Sequence, residues 1–477
     1  MELKILDQNS RKKIRKIVGK EHCSDKPEDL HLYSYDAMNR RYLPDMVAHP
    51  ANEKEISEIL RLANEEGFAV VPRGAGTGMT GGSLAVSGGL IVNTDRLNRI
   101  IKVDEGNMTA WVESGVINGR LQDEVEKVGL FFPPAPSSVN ISTLGGNAAE
   151  NASGLRAVKY GVFRDYVMAL EVVLATGEII QTGSAAVKSV TGYDLTRLLV
   201  GSEGTLGIIT KLLLRLLPRP ESVRTLMAVF PEVEAASVTV AKIMASRVTP
   251  STLEFMDRSA IRCVEEYLQP GLSGEAAALL LIEVDGDEVS VDRQATVIQE
   301  VCESNGALYV KKAGDESEAE SLWKARHSLS PALMKIRPLK INEDVVVPRM
   351  KIPELVMGIE KIAAERNINI VGFGHAGDGN IHANILVDPA DKDEMAQVDG
   401  ALKDLFELVV SLDGSISGEH GIGIAKGPYM GMEIGAKSME LMKRIKRAFD
   451  PNNILNPHKT FDFEPSTASR EISRSYE

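Results

Sequence analysis

The most constraining feature of the chain is a glycine-dense stretch, Arg73-Gly-Ala-Gly-Thr-Gly-Met-Thr-Gly-Gly-Ser83, set between short apolar runs at 69–71 and 89–93. Its core, Gly76 to Gly81, fits the GxGxxG spacing of a dinucleotide fingerprint. That fingerprint needs a helix to begin at the glycines, so that the helix N-terminus meets the pyrophosphate. Here the glycines lead through Gly82-Ser-Leu-Ala-Val-Ser-Gly-Gly-Leu-Ile-Val92, which is poor in helix formers, into a strand. The doubly wound dinucleotide fold is therefore rejected. A loop between two strands still binds phosphate, because glycines at positive φ turn consecutive N–H groups toward one anion, with Arg73 and Thr77 as further donors. A plain flexible loop is the competing reading of this motif alone.

A second small-residue run, Pro133-Pro-Ala-Pro-Ser-Ser-Val-Asn-Ile-Ser-Thr-Leu-Gly-Gly-Asn-Ala-Ala-Glu-Asn-Ala-Ser-Gly154, is too rich in Gly, Ser, Asn and Pro for a packed regular element. It is expected to be an ordered binding loop. Upstream, Ile56, Ile59, Leu60 and Ala63 repeat at helical spacing and predict an amphipathic helix over 53–67. Strand-like runs flank Ala175-Thr-Gly-Glu178, a hairpin signal, and Pro218-Arg-Pro220 marks a domain boundary. Beyond it, strands at 226–230 and 279–284 alternate with amphipathic helices at 232–244 and 291–302. The expected fold class is α+β.

Charge decides which partners to consider. Lys and Arg total 54 against 67 Asp and Glu, a net −13 that repels phosphate backbones, so no nucleic-acid partner is expected. No apolar run approaches the roughly 18 residues of a membrane span, so no transmembrane segment is expected. The opening Met-Glu-Leu-Lys-Ile-Leu has no apolar secretory core behind it, which points to a cytoplasmic location. Cys23, Cys263 and Cys302 lack CxxC spacing and are expected to be reduced thiols rather than cluster ligands.

Taken together, Pro72-Arg-Gly-Ala-Gly-Thr-Gly with Gly81-Gly82, the Pro136-Ser and Gly145-Gly-Asn run, Tyr160-Gly161 and Gly201-Ser-Glu-Gly-Thr-Leu-Gly207 resemble a known domain. It is the FAD-binding domain of the vanillyl-alcohol oxidase/PCMH flavoproteins. Gly374-His-Ala-Gly-Asp-Gly-Asn-Ile-His382, Ser417-Gly-Glu-His-Gly-Ile-Gly423 and Phe449-Asp-Pro extend the resemblance. They are similar to the branch of D-lactate dehydrogenase, glycolate oxidase subunit and D-2-hydroxyglutarate dehydrogenase, over about residues 20–462.

The resemblance implies a PCMH-type FAD-binding domain of two α+β subdomains over 38–218, behind an N-terminal helical segment over 1–37. An α+β substrate or cap domain built on an antiparallel sheet would span 219–410. A C-terminal segment carrying the GEHG loop would return over 411–462, and 463–477 would be a flexible tail. The implied pyrophosphate cradle is Pro72, Arg73, Gly74, Ala75, Gly76, Thr77, Gly78, Gly82 and Ser83. Pro136, Ser137, Gly145, Gly146, Asn147, Gly154, Glu203, Gly204 and Ile208 would line the rest of the cofactor, with Tyr160 and Gly161 completing the set. Relatives that attach flavin covalently to this loop use a His near the position of Thr77, so dissociable, non-covalent FAD is expected here.

A histidine pair comes from spacing. Residues 368–374 and 380–387 read as strands, and Asp378-Gly379 is a preferred two-residue turn. That turn sets His375 directly opposite His382, with Cβ atoms roughly 4.5–5.5 Å apart. Two imidazoles at that distance bind one ion or form a hydrogen-bonded core pair, and the spacing leaves both open. Glu419 is a candidate third ligand, and His/His/Glu with an open position is the donor set of a catalytic divalent site. The resemblance implies the same ligands, with Zn²⁺ first and Fe²⁺ or Mn²⁺ as alternatives. It also implies His420 as catalytic base, imidazole being the side-chain type that exchanges a proton near neutrality. A structural role for His420 is the competing reading.

Lys324, Arg326, Lys335, Arg337 and Lys340 fall between Trp323 and Ile341 with no acid among them, which suggests an anionic ligand. Arg326 matches the family position that holds substrate carboxylate, and arginine suits bidentate carboxylate recognition. Lys340, and Asn384 on the His382 face, are the further substrate candidates. The expected enzyme oxidises a D-2-hydroxy acid, D-lactate or glycolate first, to the 2-oxo acid. It would transfer hydride to flavin and electrons onward to a separate acceptor, an electron-transfer flavoprotein or Fe–S subunit. Homodimerisation is left open. The alternatives are a D-2-hydroxyglutarate dehydrogenase, a non-catalytic electron-transfer subunit, and a flavin-free metallohydrolase using the same His/His/Glu set.

Overall fold

A computed structural model describes residues 3–38, 40–268 and 274–460, so the expected tail at 463–477 lies outside the described residues. The chain forms two compact units. The first comprises 1–153, 162–219 and the chain from Glu419 onward; the second comprises 154–161 and 220–418.

In the first unit, the strands Met46–Ala48, Leu90–Asn93 and Val70–Arg73 run parallel, with Cys23–Ser24 antiparallel at one edge. Val70–Arg73 pairs in register with Leu90–Asn93, so the glycine loop is the whole crossover between two adjacent parallel strands. A helix usually makes such a crossover. Here the helix Glu53–Glu66 precedes the loop instead: Asn52 caps its start by accepting from Lys54 and Glu55 N–H, and Gly67, at φ +82°, ends it. Its Ile56, Ile59, Leu60 and Ala63 face joins the core beneath the parallel sheet. The C-terminal segment closes that layer, with Val70 N–H donating to Ile454 O and Asn456 N–H to Val70 O, each at 2.8 Å.

The same unit carries a five-stranded antiparallel sheet, ordered Ile100–Asp104, Thr109–Glu113, Ile208–Arg215, Val167–Val173 and Ile179–Gly183. The run at 133–154 corrects one expectation, because it contains a helix, Leu144–Glu150. Thr143 caps it by accepting from Gly146 N–H, and its glycines serve close packing: a Cβ on Gly145 would lie 2.5 Å from Ser114 Cβ.

The second unit is built on seven antiparallel strands, in the order Tyr309–Lys312, Ser222–Phe230, Ala278–Gly286, Thr252–Asp257, Asn369–His375, Asn380–Val387 and Leu339–Val346. Helices including Arg258–Leu268 and Glu316–His327 pack on it around Met256, Val264, Leu281, Leu329 and Phe373. The mixed α and β content with antiparallel sheets is the architecture expected.

Candidate functional site

The glycine loop opens onto a cavity of about 180 Å³ within the first unit, its mouth open to solvent. Pro72 through Met79, Gly82, Ser83, Pro136, Ser137, Gly145, Gly146, Asn147, Glu203, Gly204 and Ile208 line it, together with Glu419 and His420. Gly154, Tyr160 and Gly161, expected among them, belong instead to the second unit, where Tyr160 Oη donates to Asp285 Oδ2 at 2.8 Å. Arg73 turns inward rather than out: its Nη2 donates to Tyr35 O at 2.8 Å and its Nη1 to Ser83 Oγ at 3.3 Å, which braces the loop from within. A Cβ on Gly76, at φ +71°, would collide with that guanidinium at 2.2 Å, so the loop's tight wrap depends on this glycine.

The lining fits FAD. Ser114 Oγ, Ser142 Oγ, Asn147 Nδ2 and Glu150 Oε2 are buried without hydrogen-bond partners among the described residues. Buried polar atoms of this kind await a polar ligand. Around them lies backbone free of Cβ atoms, the requirement for close approach to phosphates.

His420 belongs to a loop fixed at several points. Thr80 Oγ1 donates to His420 O at 3.3 Å, and Glu203 accepts from Ile422 N–H at 2.9 Å and Gly423 N–H at 2.7 Å. Ser153 Oγ donates to Glu419 Oε2 at 2.7 Å, which orients that carboxylate. Sequence reasoning did not single out Ser153.

In the second unit, the hairpin register departs from the expected one by two residues. His375 opposes Asn380 and Phe373 opposes His382, so the turn is the four residues 376–379. The tight Asp-Gly turn is overridden by a neighbour, since Gly377 N–H donates to Leu253 O at 3.2 Å on the adjacent strand. A shift of two preserves the face because the side-chain period is two. The histidines are thus diagonal neighbours with Nε2 atoms 3.5 Å apart, both 6 % exposed. That gap is long for a hydrogen bond. It is close to the roughly 3.3 Å expected between two nitrogens about 2.05 Å from one tetrahedral ion.

Glu254 was missed from sequence. It is fully buried in the strand Thr252–Asp257, directly opposite His375 in register, and accepts from His375 Nδ1 at 2.5 Å and from Arg326 Nε at 2.7 Å. It is one of two acids in Thr252-Leu-Glu-Phe-Met-Asp257, and nothing local sets it apart. Burial alone would raise its carboxyl, but the charges of His375 and Arg326 and their hydrogen bonds bring it below the ordinary value. Arg326 Nη1 and Nη2 carry no hydrogen bond to the described residues, and the guanidinium lies 4.7 Å from the Phe373 ring centre. Asn384 is 0 % exposed, its amide donating to Val371 O and His382 O, whereas Lys340 Nζ donates to Ser330 Oγ.

Asp344 stands directly across from His382 and accepts Gly418 N–H at 2.7 Å. The last residue of the unit before Glu419 is therefore tied to the partner strand of His382.

A glycine-cradled cofactor cavity in one unit and a carboxylate-backed imidazole pair in the other define a class of cofactor-dependent oxidoreductase. Two family models match the chain, an FAD binding domain over 44–183 and the C-terminal domain of FAD linked oxidases over 219–460, and the chain belongs to this FAD-linked oxidase family. It is 45% identical over 458 residues to the glycolate oxidase subunit GlcD of Bacillus subtilis, covering 96% of this chain and 97% of that protein. A D-lactate dehydrogenase of Anaerostipes hadrus is 36% identical, with 87% and 89% covered. Among solved structures, p-cresol methylhydroxylase with substrate bound superposes with a TM-score of 0.80 at 17% identity, covering 96% of this chain and 98% of that one. At that identity the likeness is one of fold. Among the described residues no helix is long and apolar enough to cross a membrane.

Proposed function

We propose that the chain is a cytoplasmic FAD-dependent dehydrogenase that oxidises a small D-2-hydroxy acid, D-lactate or glycolate first, and passes electrons to a separate protein acceptor. The observation that carries this reading is the His375 and His382 pair, spaced for a shared ion and backed by Glu254. Relatives bearing the names glycolate oxidase subunit and D-lactate dehydrogenase support the substrate class.

The residues lining the glycine-loop cavity would hold FAD, which would supply the hydride-accepting chemistry for the substrate's Cα–H bond. His375, His382 and Glu419 would hold a divalent cation, which supplies positive charge beside the reacting hydroxyl. Support for Glu419 is connectivity: it follows Gly418, whose N–H is fixed by Asp344 opposite His382. Arg326 Nη1 and Nη2 grip the substrate carboxylate while Nε stays on Glu254. His420 removes the hydroxyl proton at an imidazole nitrogen.

The test is an anaerobic visible spectrum of protein reconstituted with FAD and a divalent metal, titrated with D-lactate, L-lactate, glycolate and D-2-hydroxyglutarate. Bleaching by one acid, lost in His420→Ala, is expected. A flavin band unmoved by every acid refutes the dehydrogenase reading for these substrates.

A further inference from the structure

Glu150 ends the helix Leu144–Glu150, and its carboxyl reaches in among three glycines of two separate loops. A Cβ added to Gly421 would lie 2.4 Å from Glu150 Oε2, one on Gly82 3.1 Å from Oε1, and one on Gly78 3.9 Å from Oε1. Gly78 and Gly82 belong to the glycine loop, and Gly421 directly follows His420. Glu150, Gly78, Gly82 and His420 all line the cofactor cavity. Oε2 is buried with no hydrogen-bond partner among the described residues, a state that destabilises the site until a ligand satisfies it.

The surrounding charges decide which carboxyl holds a proton. Glu203 is close by, since the same Cβ on Gly421 would lie 3.3 Å from Glu203 Oε1. Both Glu203 oxygens accept backbone N–H groups, from Ile422 and Gly423, and so stabilise a negative charge there. Asp36 and Lys459 also face Glu150, and the Lys459 ammonium is engaged by Gly82 O and Asn456 Oδ1. Burial first, then Glu203 and Asp36, push the Glu150 carboxyl well above its ordinary value. Burial raises the Glu203 carboxyl too, but two N–H donors oppose it there and no N–H donor among the described residues opposes it at Glu150, so of the adjoining pair Glu150 is the one that keeps a proton more readily.

We propose that the Glu150 carboxyl is a hydrogen-bond donor to the flavin ring of FAD bound in this cavity. It is a positioning residue for the cofactor, and Glu203 beside it fixes the loop that carries His420. The inference rests on this cavity being the FAD site.

The experiment titrates apoprotein with FAD, reading Kd from flavin fluorescence and the positions of the visible absorption bands. Glu150→Gln keeps a donor and is expected to hold Kd within about twofold of the wild type, with unchanged bands. Glu150→Leu removes the donor and is expected to weaken FAD by about tenfold, the scale of one buried hydrogen bond, and to shift the bands. Wild-type Kd and bands in Glu150→Leu would overturn the proposal, as would Glu150→Gln as weak as Glu150→Leu. If Glu150→Leu does not fold, the pH dependence of Kd replaces it. Wild-type affinity should then fall at alkaline pH as Glu150 ionises, while Glu150→Gln stays level; parallel curves reject the donor role. Gly74→Ala, whose Cβ would meet Thr143 Oγ1 at 2.3 Å, tests the cavity separately. If it binds FAD like the wild type, the cavity assignment fails rather than the role of Glu150.

Discussion

Glu254 holds His375 by its Nδ1 and so turns Nε2 toward His382, 3.5 Å away. This carboxylate–imidazole arrangement fixes the tautomer and ring angle that metal ligation needs, and it raises the basicity of the outward nitrogen. The same carboxylate also holds Arg326 Nε, so the ion-binding pair and the guanidinium share one buried anchor.

Replacing Glu254 by Gln removes that charge while keeping its shape. Affinity for Zn²⁺ or Mn²⁺, measured by calorimetry on the FAD-loaded protein, is expected to fall about 10–100-fold, the usual cost of losing such a partner. FAD affinity should not change, because Glu254 lies outside the cofactor cavity. Unaltered metal affinity would show that the His375 contact is only structural.

Arg326→Lys separates the two jobs of that side chain. Lysine retains a charge near Glu254 but loses the planar pair of Nη donors that bind a carboxylate in parallel. KM for the hydroxy acid is expected to rise by about tenfold or more, with metal affinity changed by much less. Equal loss of both would assign Arg326 to the Glu254 network alone.

Asp344→Ala probes the tie between the hairpin and the segment that leads into Glu419. Gly418 N–H would lose its acceptor, at a cost of about 1–3 kcal/mol in stability by thermal or denaturant unfolding. Turnover should fall further than that loss explains, because Glu419 is the next residue. An enzyme that melts lower yet turns over normally would separate Asp344 from catalysis.

The parts of this fold that were legible in sequence are those set by local rules. The helix Glu53–Glu66 announces itself by its apolar repeat and its Gly67 stop. Rejecting a helix after the glycine loop also held, since no helix lies between Val70–Arg73 and Leu90–Asn93. The two histidines share a face because strand parity survives a shift of two, but their register depended on Leu253, a residue far away in sequence. The helix Leu144–Glu150 was hidden for a similar reason. Its glycines argue against a helix until Ser114, just after the strand Thr109–Glu113, is there for Gly145 to pack against. Glu254 had no local signal at all, because a buried acid shows its role only when His375 and Arg326 are brought to it.

Asp257 gives a pH dependence away from the imidazole pair. It is buried, it caps the helix Arg258–Leu268 by accepting Ala260 N–H at 2.7 Å, and its other oxygen accepts Gly372 N–H at 2.7 Å. Burial outweighs those donors and pushes its carboxyl up to about 7, from 3.8. The folded-state value is thus above the unfolded one. Between about pH 4 and 7 the native state keeps a proton that the unfolded chain has lost, so this group's contribution to stability falls as pH rises through that window and then levels off. Asp257→Asn cannot ionise, and its stability relative to the wild type should therefore climb from pH 4 to pH 7 by on the order of a few kcal/mol and stay flat above. Unfolding curves of both proteins across that range check it. A difference independent of pH would mean that the two N–H donors hold Asp257 ionised throughout.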